Sequence, residues 1–550
     1  MAALLLAVGW LWPACVAKSV AGGIVLHWGA AACVLAAAAA WHGAHRGDHA
    51  RCGAWAWAFL GLLILPAWIV LATDEARAPE RVLRWGMLLA LAWVAFALFR
   101  VHGEALWRGR VARASIVAAA GVHAALVLAS SIARDPAWLA FAGGSSGPLK
   151  QANWEALWLG IGLAALAPSL ARGWAQGLAA LLAAALLLTG SRSGMLTAML
   201  IVVLSLWRQP DARSRAQCAQ RWAIVWLGGF ALAKAWLLAG ASARLPARAG
   251  DVGSVGGRFM IWAIALETFR AHPWFGVGWG GMAAHGMDAL ERVLARHPEW
   301  AATANHVVGA HAYAHNWVLQ WLAEAGVFGA AFALLLCAAL WRARPRSGEA
   351  DGRWAAWAAC VAILAHGMLS VSAAEPWFWF VFAVAAAGVW PLDAKAEASV
   401  SAARRLGWWL PAVVAALIAH REGMLALRLD DAFAKLRPGA LRVIAEGLND
   451  PWLHASALHR VFVRLALAHA GPRRWRAAEP LAWALWRTAQ HPDYCMIFVI
   501  VAHAKDDNLA ERRWAARYLR LRPGHGPALL AYRHAFVEHG KKPLRVALTW

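Results

Sequence analysis

Charge is what this chain has least of. Only 15% of its 550 residues are Asp, Glu, Lys or Arg, while 61% are hydrophobic. A soluble protein of this length needs far more polar surface, so that class is excluded and a polytopic membrane protein is expected. Carboxylates are scarcer than bases, 30 against 53, which leaves a formal charge of +23. This surplus does not point to nucleic acid, because the arginines are scattered through short loops between apolar runs, as topology signals are. There are seven cysteines, with no CxxC and no Cys/His set at a usual metal spacing. They read as small apolar core residues; Cys15, Cys33, Cys337 and Cys360 lie in or beside apolar runs. The N-terminal MAALLLAVGWLWPACVAKSV lacks a basic leader region, so a first membrane helix is expected rather than a removed signal peptide. Tyrosine and asparagine are nearly missing as well. Tyr313 is the only tyrosine in the first 420 residues, and Asn305 and Asn316 are two of only three asparagines there.

Apolar runs, by contrast, are abundant. They lie near 2–17, 20–41, 54–72, 85–99, 114–132, 156–170, 174–189, 194–207, 222–239, 317–340, 354–373, 377–392 and 407–425. A span needs about 20 residues, so the fold class expected is all-α, with about 13 transmembrane helices. The 38 tryptophans suit the interface belts of such a protein. Four arginine-bearing loops (42–53, 100–113, 208–221 and 341–353) fall on one side if the N-terminus is cytoplasmic. The other side receives 73–84, 133–155, 190–193, 374–376 and the one long loop, 240–316. Within that loop, GGRFMIWAIALETFRAHPWFGVGWGGM predicts an amphipathic helix over 258–270 and then a Pro/Gly-rich turn, the helix suited to the membrane interface.

After residue 425 the long apolar runs stop and charge density rises. NDPWLHASAL, QHPDYCMIFV and LRPGHGPALL recur at intervals of 41 and 31 residues, each proline opening a helical pattern. Two domains are expected: a membrane domain over 1–425 and a soluble helical domain over 426–550, resembling tetratricopeptide repeats. Thirteen spans would put the second domain on the periplasmic side. Its basic charge does not oppose this, because whole domains translocate largely regardless of charge.

The unusual side chains gather on the loops assigned to that far side. GSRSG (190–194) places Arg192 at the membrane surface, and GGRFMIW places Arg258 at the start of the predicted loop helix. GGSSGPLKQANWE supplies Lys150, Gln151 and Asn153. NHVVGAHAYAHNWVLQWLAEAGVFG supplies His311, Tyr313, His315 and Asn316, and AHGMLSVSAAEPWFWF supplies His366 and Glu375. An arginine at a helix end is ordinarily a snorkelling anchor. Anchors favour the cytoplasmic side, however, and a guanidinium fork is a natural phosphate ligand. An interfacial histidine is ordinarily a surface residue. His315 differs in leading straight into an apolar helix, where a neutral imidazole can take a proton from a hydroxyl. Asn316, Gln320 and Glu324 continue at i, i+4, i+8 as one polar stripe, readable as interhelical hydrogen bonding, and a charge as deep as Glu324 needs a partner. The far-side loops hold no DxD. Protein cations rather than a metal are therefore expected to neutralise any phosphate, and no cofactor is expected.

SRSG, then GGRFMIWAIALETFRAHPWFGVGWGGM, then HNWVLQWLAEAGVFGA resemble, in that order, the O-antigen ligase superfamily. GPLKQANWEA and HGMLSVSAAEPWFWFVF are similar to elements of its PglL-type protein O-oligosaccharyltransferases, with Ala152 in place of proline and Trp377 after Pro376 as departures. The resemblance covers about 140–425. It implies a GT-C-like membrane fold and a metal-independent, inverting transfer of glycan from undecaprenyl pyrophosphate at the periplasmic face of a bacterial inner membrane. Acceptors would be Ser or Thr of exported proteins such as pilins, or else lipid A-core or a growing glycan in the ligase and polymerase branches. By the same resemblance Arg192 and Arg258 would hold the pyrophosphate and His315 would serve the acceptor hydroxyl. Lys150, Gln151, Asn153, His311, Tyr313, Asn316 and Glu375 would shape the pocket. A transporter or flippase would instead show two related halves and a charged site near the bilayer midplane. The sequence shows neither halves nor such a site.

Overall fold

A computed structural model describes residues 31–37, 69–70, 79–100, 107, 111–132, 149, 151–240, 252–301, 303, 313–346, 349–370, 375–390, 410–435, 479–488 and 492–521. Among these, every extended element is helical and there is no strand. In chain order the helices are α1 (Pro79–Arg100), α2 (Val111–Ile132), α3 (Ala152–Leu166), α4 (Gly173–Thr189), α5 (Arg192–Trp207), α6 (Ala212–Leu238), α7 (Val252–Ala271) and α8 (Met282–Arg296). They continue as α9 (Trp317–Arg342), α10 (Asp351–Gly367), α11 (Pro376–Val389), α12 (Leu410–Lys435), α13 (Glu479–Thr488), α14 (Pro492–Ala504) and α15 (Asn508–Leu521). Helices α1–α6 and α9–α12 fall on the later ten apolar runs. The first three runs lie mostly outside the described residues. Among the described residues, α2, α6 and α9 are long and apolar enough to cross a membrane, and α4, α5 and α11 are shorter apolar helices.

The chain divides into two compact units. The first comprises residues 1–64, 87–250 and 332–424, the second 65–86, 251–331 and 425–550. Helix α12 thus runs through the boundary that composition suggests near 425.

In the first unit α3 is the hub. It packs against α2, α4, α5 and α10, and every residue from Glu155 to Leu166 is buried. An all-round apolar helix must be enclosed in this way. Small residues let its neighbours close in: a Cβ on Gly162 would lie 2.6 Å from Ala120 Cβ, and one on Gly194 would lie 2.2 Å from Ala156 Cβ. The outer helices keep apolar side chains exposed. On α5 these are Leu196, Met199, Val203 and Trp207, a single stripe at helical spacing. Of the basic segment 208–221, expected to be a loop, only 208–211 lies between helices. Asp211 accepts the Ser214 N–H at 2.8 Å, and this cap starts α6 at Ala212.

The second unit joins the long loop to the C-terminal helices. Met260, Ile261 and Ile264 of α7, Leu290 and Val293 of α8, and Trp486, Tyr494, Phe498 and Leu521 of α13–α15 belong to one buried cluster. The inner side of α7 therefore packs on protein, while Phe259 stays exposed. Sequence reading missed α8 altogether, although its apolar residues recur at helical spacing. Of the three C-terminal repeat motifs, only the one opening at Pro492 lies within the described residues, and Pro492 does begin a helix.

One guanidinium fastens this core. Arg517 of α15 meets Asp288 at 2.6 Å and Glu291 at 2.9 Å, both on α8. Its Cζ also lies 4.8 Å from the Trp486 ring centroid and 5.4 Å from that of Trp514. Burial would lower its pKa, but Glu291 and Asp288 outweigh that and raise it. Arg517→Ala is expected to cost about 1–2 kcal/mol, read as a lower unfolding temperature in detergent. Arg517→Lys should recover little, because an ammonium cannot fork between two carboxylates while stacking on indoles.

Candidate functional site

Each unit carries its own part of the predicted polar set. In the first unit the SRSG segment is accounted for residue by residue. Gly190 ends α4 with φ of +64°, a left-handed cap that favours glycine. Ser191 caps α5 by accepting the Gly194 N–H at 3.1 Å, and its hydroxyl donates to Asn153 Oδ1 at 2.7 Å. Ser193 donates to the same oxygen at 3.3 Å. Gly194 makes room for Ala156. Arg192, the first residue of α5, is exposed. The positive end of the helix dipole therefore lies beside a guanidinium, a combination suited to a phosphate-bearing anion. Gln151 caps α3 by accepting the Trp154 N–H at 2.8 Å. Gln151 and Asn153 thus both sit where α3 begins, and Asn153 ties that start to α5. Glu375 is buried immediately before α11. Trp377, a departure from the resembled motif, is fully buried and sits edge-on to Trp158, with ring centroids 5.0 Å apart.

Below Gln151 lies a pair that sequence reading did not single out. His123 of α2 and Glu155 of α3 are both wholly buried, with Nδ1 3.1 Å from Oε1. The Leu149 N–H donates to Glu155 Oε2 at 3.2 Å. The pair therefore holds the chain on both sides of Gln151. The available signal was one acid heading an otherwise apolar run, a charge that has to find a partner.

In the second unit Arg258 and Tyr313 are both half-buried, and Tyr313 is edge-on to Trp85 at 6.2 Å. Arg258 departs from expectation. Helix α7 begins at Val252, so Arg258 sits well inside it and gains no free N–H groups from a helix start. His315 has φ of +55°, uncommon for a residue with a Cβ. Such conformations cost about 1–3 kcal/mol and persist where the surroundings fix them. Those surroundings are visible. Asn316 Oδ1 accepts the Val318 and Leu319 N–H groups at 3.0 and 3.1 Å, capping α9. Gln320 accepts the Ala314 N–H at 2.5 Å and donates to Glu324 at 2.6 Å. The Asn316/Gln320/Glu324 stripe is thus a brace inside its own helix and the segment before it. It holds His315 from both sides, and Glu324 gains the partner its burial demands. Glu267, also buried, pairs with both Arg270 and Arg296 and so links α7 to α8. Lys150 and His311 lie outside the described residues.

The turn after α7 is built into α9. Helix α9 is broken at Gly326, where φ is +61° and ψ −145°. The rung opened there is filled from outside: the Val277 N–H donates to Ala323 O at 3.1 Å and the Val327 N–H to Pro273 O at 2.9 Å. The backbones meet at two glycines. A Cβ on Gly276 would lie 2.3 Å from Glu324 C, and one on Gly326 would lie 2.3 Å from Trp274 O. The Pro273–Val277 turn is therefore clasped to the helix that follows His315.

Residues 177–334 match the family model described as O-antigen ligase. The matched segment is less than half of the chain; it holds Arg192, Arg258, Tyr313, His315 and Asn316 and makes that part of the chain similar to O-antigen ligases. Gln151, Asn153 and Glu375 lie outside it. No curated protein matches the chain, and no solved structure does.

Proposed function

We infer that this protein transfers a glycan from a polyprenyl-pyrophosphate carrier to an acceptor hydroxyl at the periplasmic face of a bacterial inner membrane, with Ser or Thr of exported proteins as acceptor. The observation that carries the reading is the family match over 177–334, which contains Arg192, Arg258 and His315. In the step, the acceptor oxygen attacks the sugar's anomeric carbon as the bond from that carbon to the pyrophosphate breaks, inverting the centre. The bonding pair leaves with the polyprenyl pyrophosphate, and the hydroxyl proton passes to His315. Arg192 and Arg258 stabilise the negative charge that grows on the leaving group. Lys150, Gln151, Asn153, His311, Tyr313, Asn316 and Glu375 shape the donor and acceptor sites, and no metal takes part.

The C-terminal helices belong in this scheme because they share a continuous core with α7 and α8. A bilayer cannot pass through such a core, so the two segments lie on one side of it. That supports a periplasmic C-terminal segment able to present an acceptor. The description of the matching family favours a second reading, a ligase with lipid A-core as acceptor.

The test is transfer by the purified full-length protein from a polyprenyl-pyrophosphate-linked glycan, offered a pilin-type protein or lipid A-core. Glycosylated pilin is expected, unchanged by EDTA and reduced about 10²–10⁴-fold by His315→Ala. Product on lipid A-core alone would select the ligase reading. Transfer to neither, from protein shown to bind the donor, would overturn both.

A further inference from the structure

At the far end of α5 from Arg192 the first unit has a second cationic site, which the proposed transfer does not use. Helix α5 is 16 residues long, so at about 1.5 Å per residue its two ends lie roughly 24 Å apart. Its last residue, Trp207, lines a cavity of about 400 Å³ together with Arg208, Arg342, Arg344, Arg346 and Trp354. That volume falls within the roughly 300–1,000 Å³ of ordinary small-molecule sites.

The charges around this cavity do not balance. Its nearby acids are already engaged: Asp351 pairs with Arg208 at 2.8 Å and Glu349 with Arg353 at 2.8 Å. Arg342, Arg344 and Arg346 have no carboxylate partner among the described residues. Three guanidiniums thus have no carboxylate to neutralise them, and Arg344, whose Nη1–H donates to Trp341 O at 3.1 Å, is positioned by an aromatic ring, as is the paired Arg208. Arg344 Cζ lies 4.6 Å from the Trp341 ring centroid and Arg208 Cζ lies 5.5 Å from that of Trp354. Trp207 stacks on Trp341 at 6.3 Å, and the Trp357 N–H closes the wall by donating to Leu340 O at 2.8 Å. Guanidinium forks suit phosphate oxygens.

The rim indicates where that phosphate comes from. Trp207 is both a cavity wall and the last member of the exposed apolar stripe Leu196, Met199, Val203, Trp207. A molecule with its phosphate among the arginines can lay an acyl chain along that stripe, whereas a free phosphate leaves it bare. Basic pockets between membrane helices take anionic headgroups on the same physical grounds.

We propose that this Arg/Trp cavity binds the phosphate headgroup of an anionic membrane phospholipid, with its chain along the outer face of α5. The test uses delipidated full-length protein titrated with short-chain phosphatidylglycerol, phosphatidylcholine of equal chain length, or inorganic phosphate, binding being read by native mass spectrometry. Phosphatidylglycerol is expected to bind at least 10-fold more tightly than either alternative. The Arg342→Gln/Arg344→Gln/Arg346→Gln variant should lose that preference. A charge-matched variant of the same basic region, Arg213→Gln/Arg215→Gln/Arg221→Gln, should keep it. Equal loss in the two variants would reduce the effect to general charge and overturn the site. Phosphate binding as tightly as phosphatidylglycerol would overturn the lipid assignment. If the cavity triple variant does not fold, Arg344→Gln alone serves: a several-fold weaker preference supports the site, and no change overturns it.

Discussion

Gly326→Ala is expected to lower the stability of the folded protein by about 2–6 kcal/mol. Its φ of +61° with ψ of −145° is a region open essentially to glycine. The added methyl would also stand 2.3 Å from the Trp274 carbonyl oxygen, a backbone atom that cannot rotate away. Relief requires separating the Pro273–Val277 turn from α9 and breaking both hydrogen bonds that fill the open rung. Strain of about 1–3 kcal/mol and two bonds at roughly 0.5–1.5 kcal/mol each give a loss of about 2–6 kcal/mol. Whole domains are stable by only about 5–15 kcal/mol. The measurement is the unfolding temperature and the monodisperse yield in detergent. Gly177→Ala is the control. That glycine lies in α4 with nothing within 4 Å of an added Cβ, so the substitution should be neutral or stabilise by up to about 1 kcal/mol. A Gly326→Ala protein as stable as Gly177→Ala would show that the clasp does not hold this turn.

The second large effect is expected at Glu155. Its carboxyl shares a hydrogen bond with His123 Nδ1 at 3.1 Å, and both side chains are wholly buried. Removing one member of a buried pair strands the other, at about 3–5 kcal/mol. Glu155→Ala also deprives the Leu149 N–H of its acceptor and frees the chain before Gln151. Replacing both partners by apolar residues of similar volume, His123→Phe with Glu155→Leu, should recover most of the stability, because neither polar group is then left buried without its partner. Thermal unfolding of the two single variants and the double variant closes the cycle. A double variant as unstable as the sum of the singles would show that the two side chains act independently. If the double variant is stable but slow in glycan transfer, the pair's remaining contribution is to the placement of Gln151 and Asn153.

What could be read from the sequence follows physical range. Helices α1–α6 and α9–α12 were legible because each is a local run of apolar residues. His315 and Arg192 stood out because such side chains are rare beside apolar helices. Three features were not legible, for related reasons. Gly326 reads in AEAGVFGA as an ordinary interior glycine, and only the arrival of Pro273–Val277 explains it. Glu155 reads as a lone acid at the head of an apolar run, and its partner His123, 32 residues earlier, is known only once the helices are packed. Helix α8 was hidden because the Gly-rich stretch before it resembles the opening of a loop. The start of α7 was misplaced because Arg258 marks a change in composition rather than the first helical turn.

The pairing of Asp288 with Arg517 spans 229 residues of chain. Ribosomes add about 5–20 residues per second, so on the order of 10–50 s separates synthesis of the two. Throughout that interval the flanks of α7 and α8 that later meet α13–α15 have no cover. The nascent chain must keep them from its own exposed membrane helices and from neighbouring polypeptides. The protein's riskiest moment thus comes late in its synthesis, when most of the described helices already exist and α13–α15 have yet to emerge.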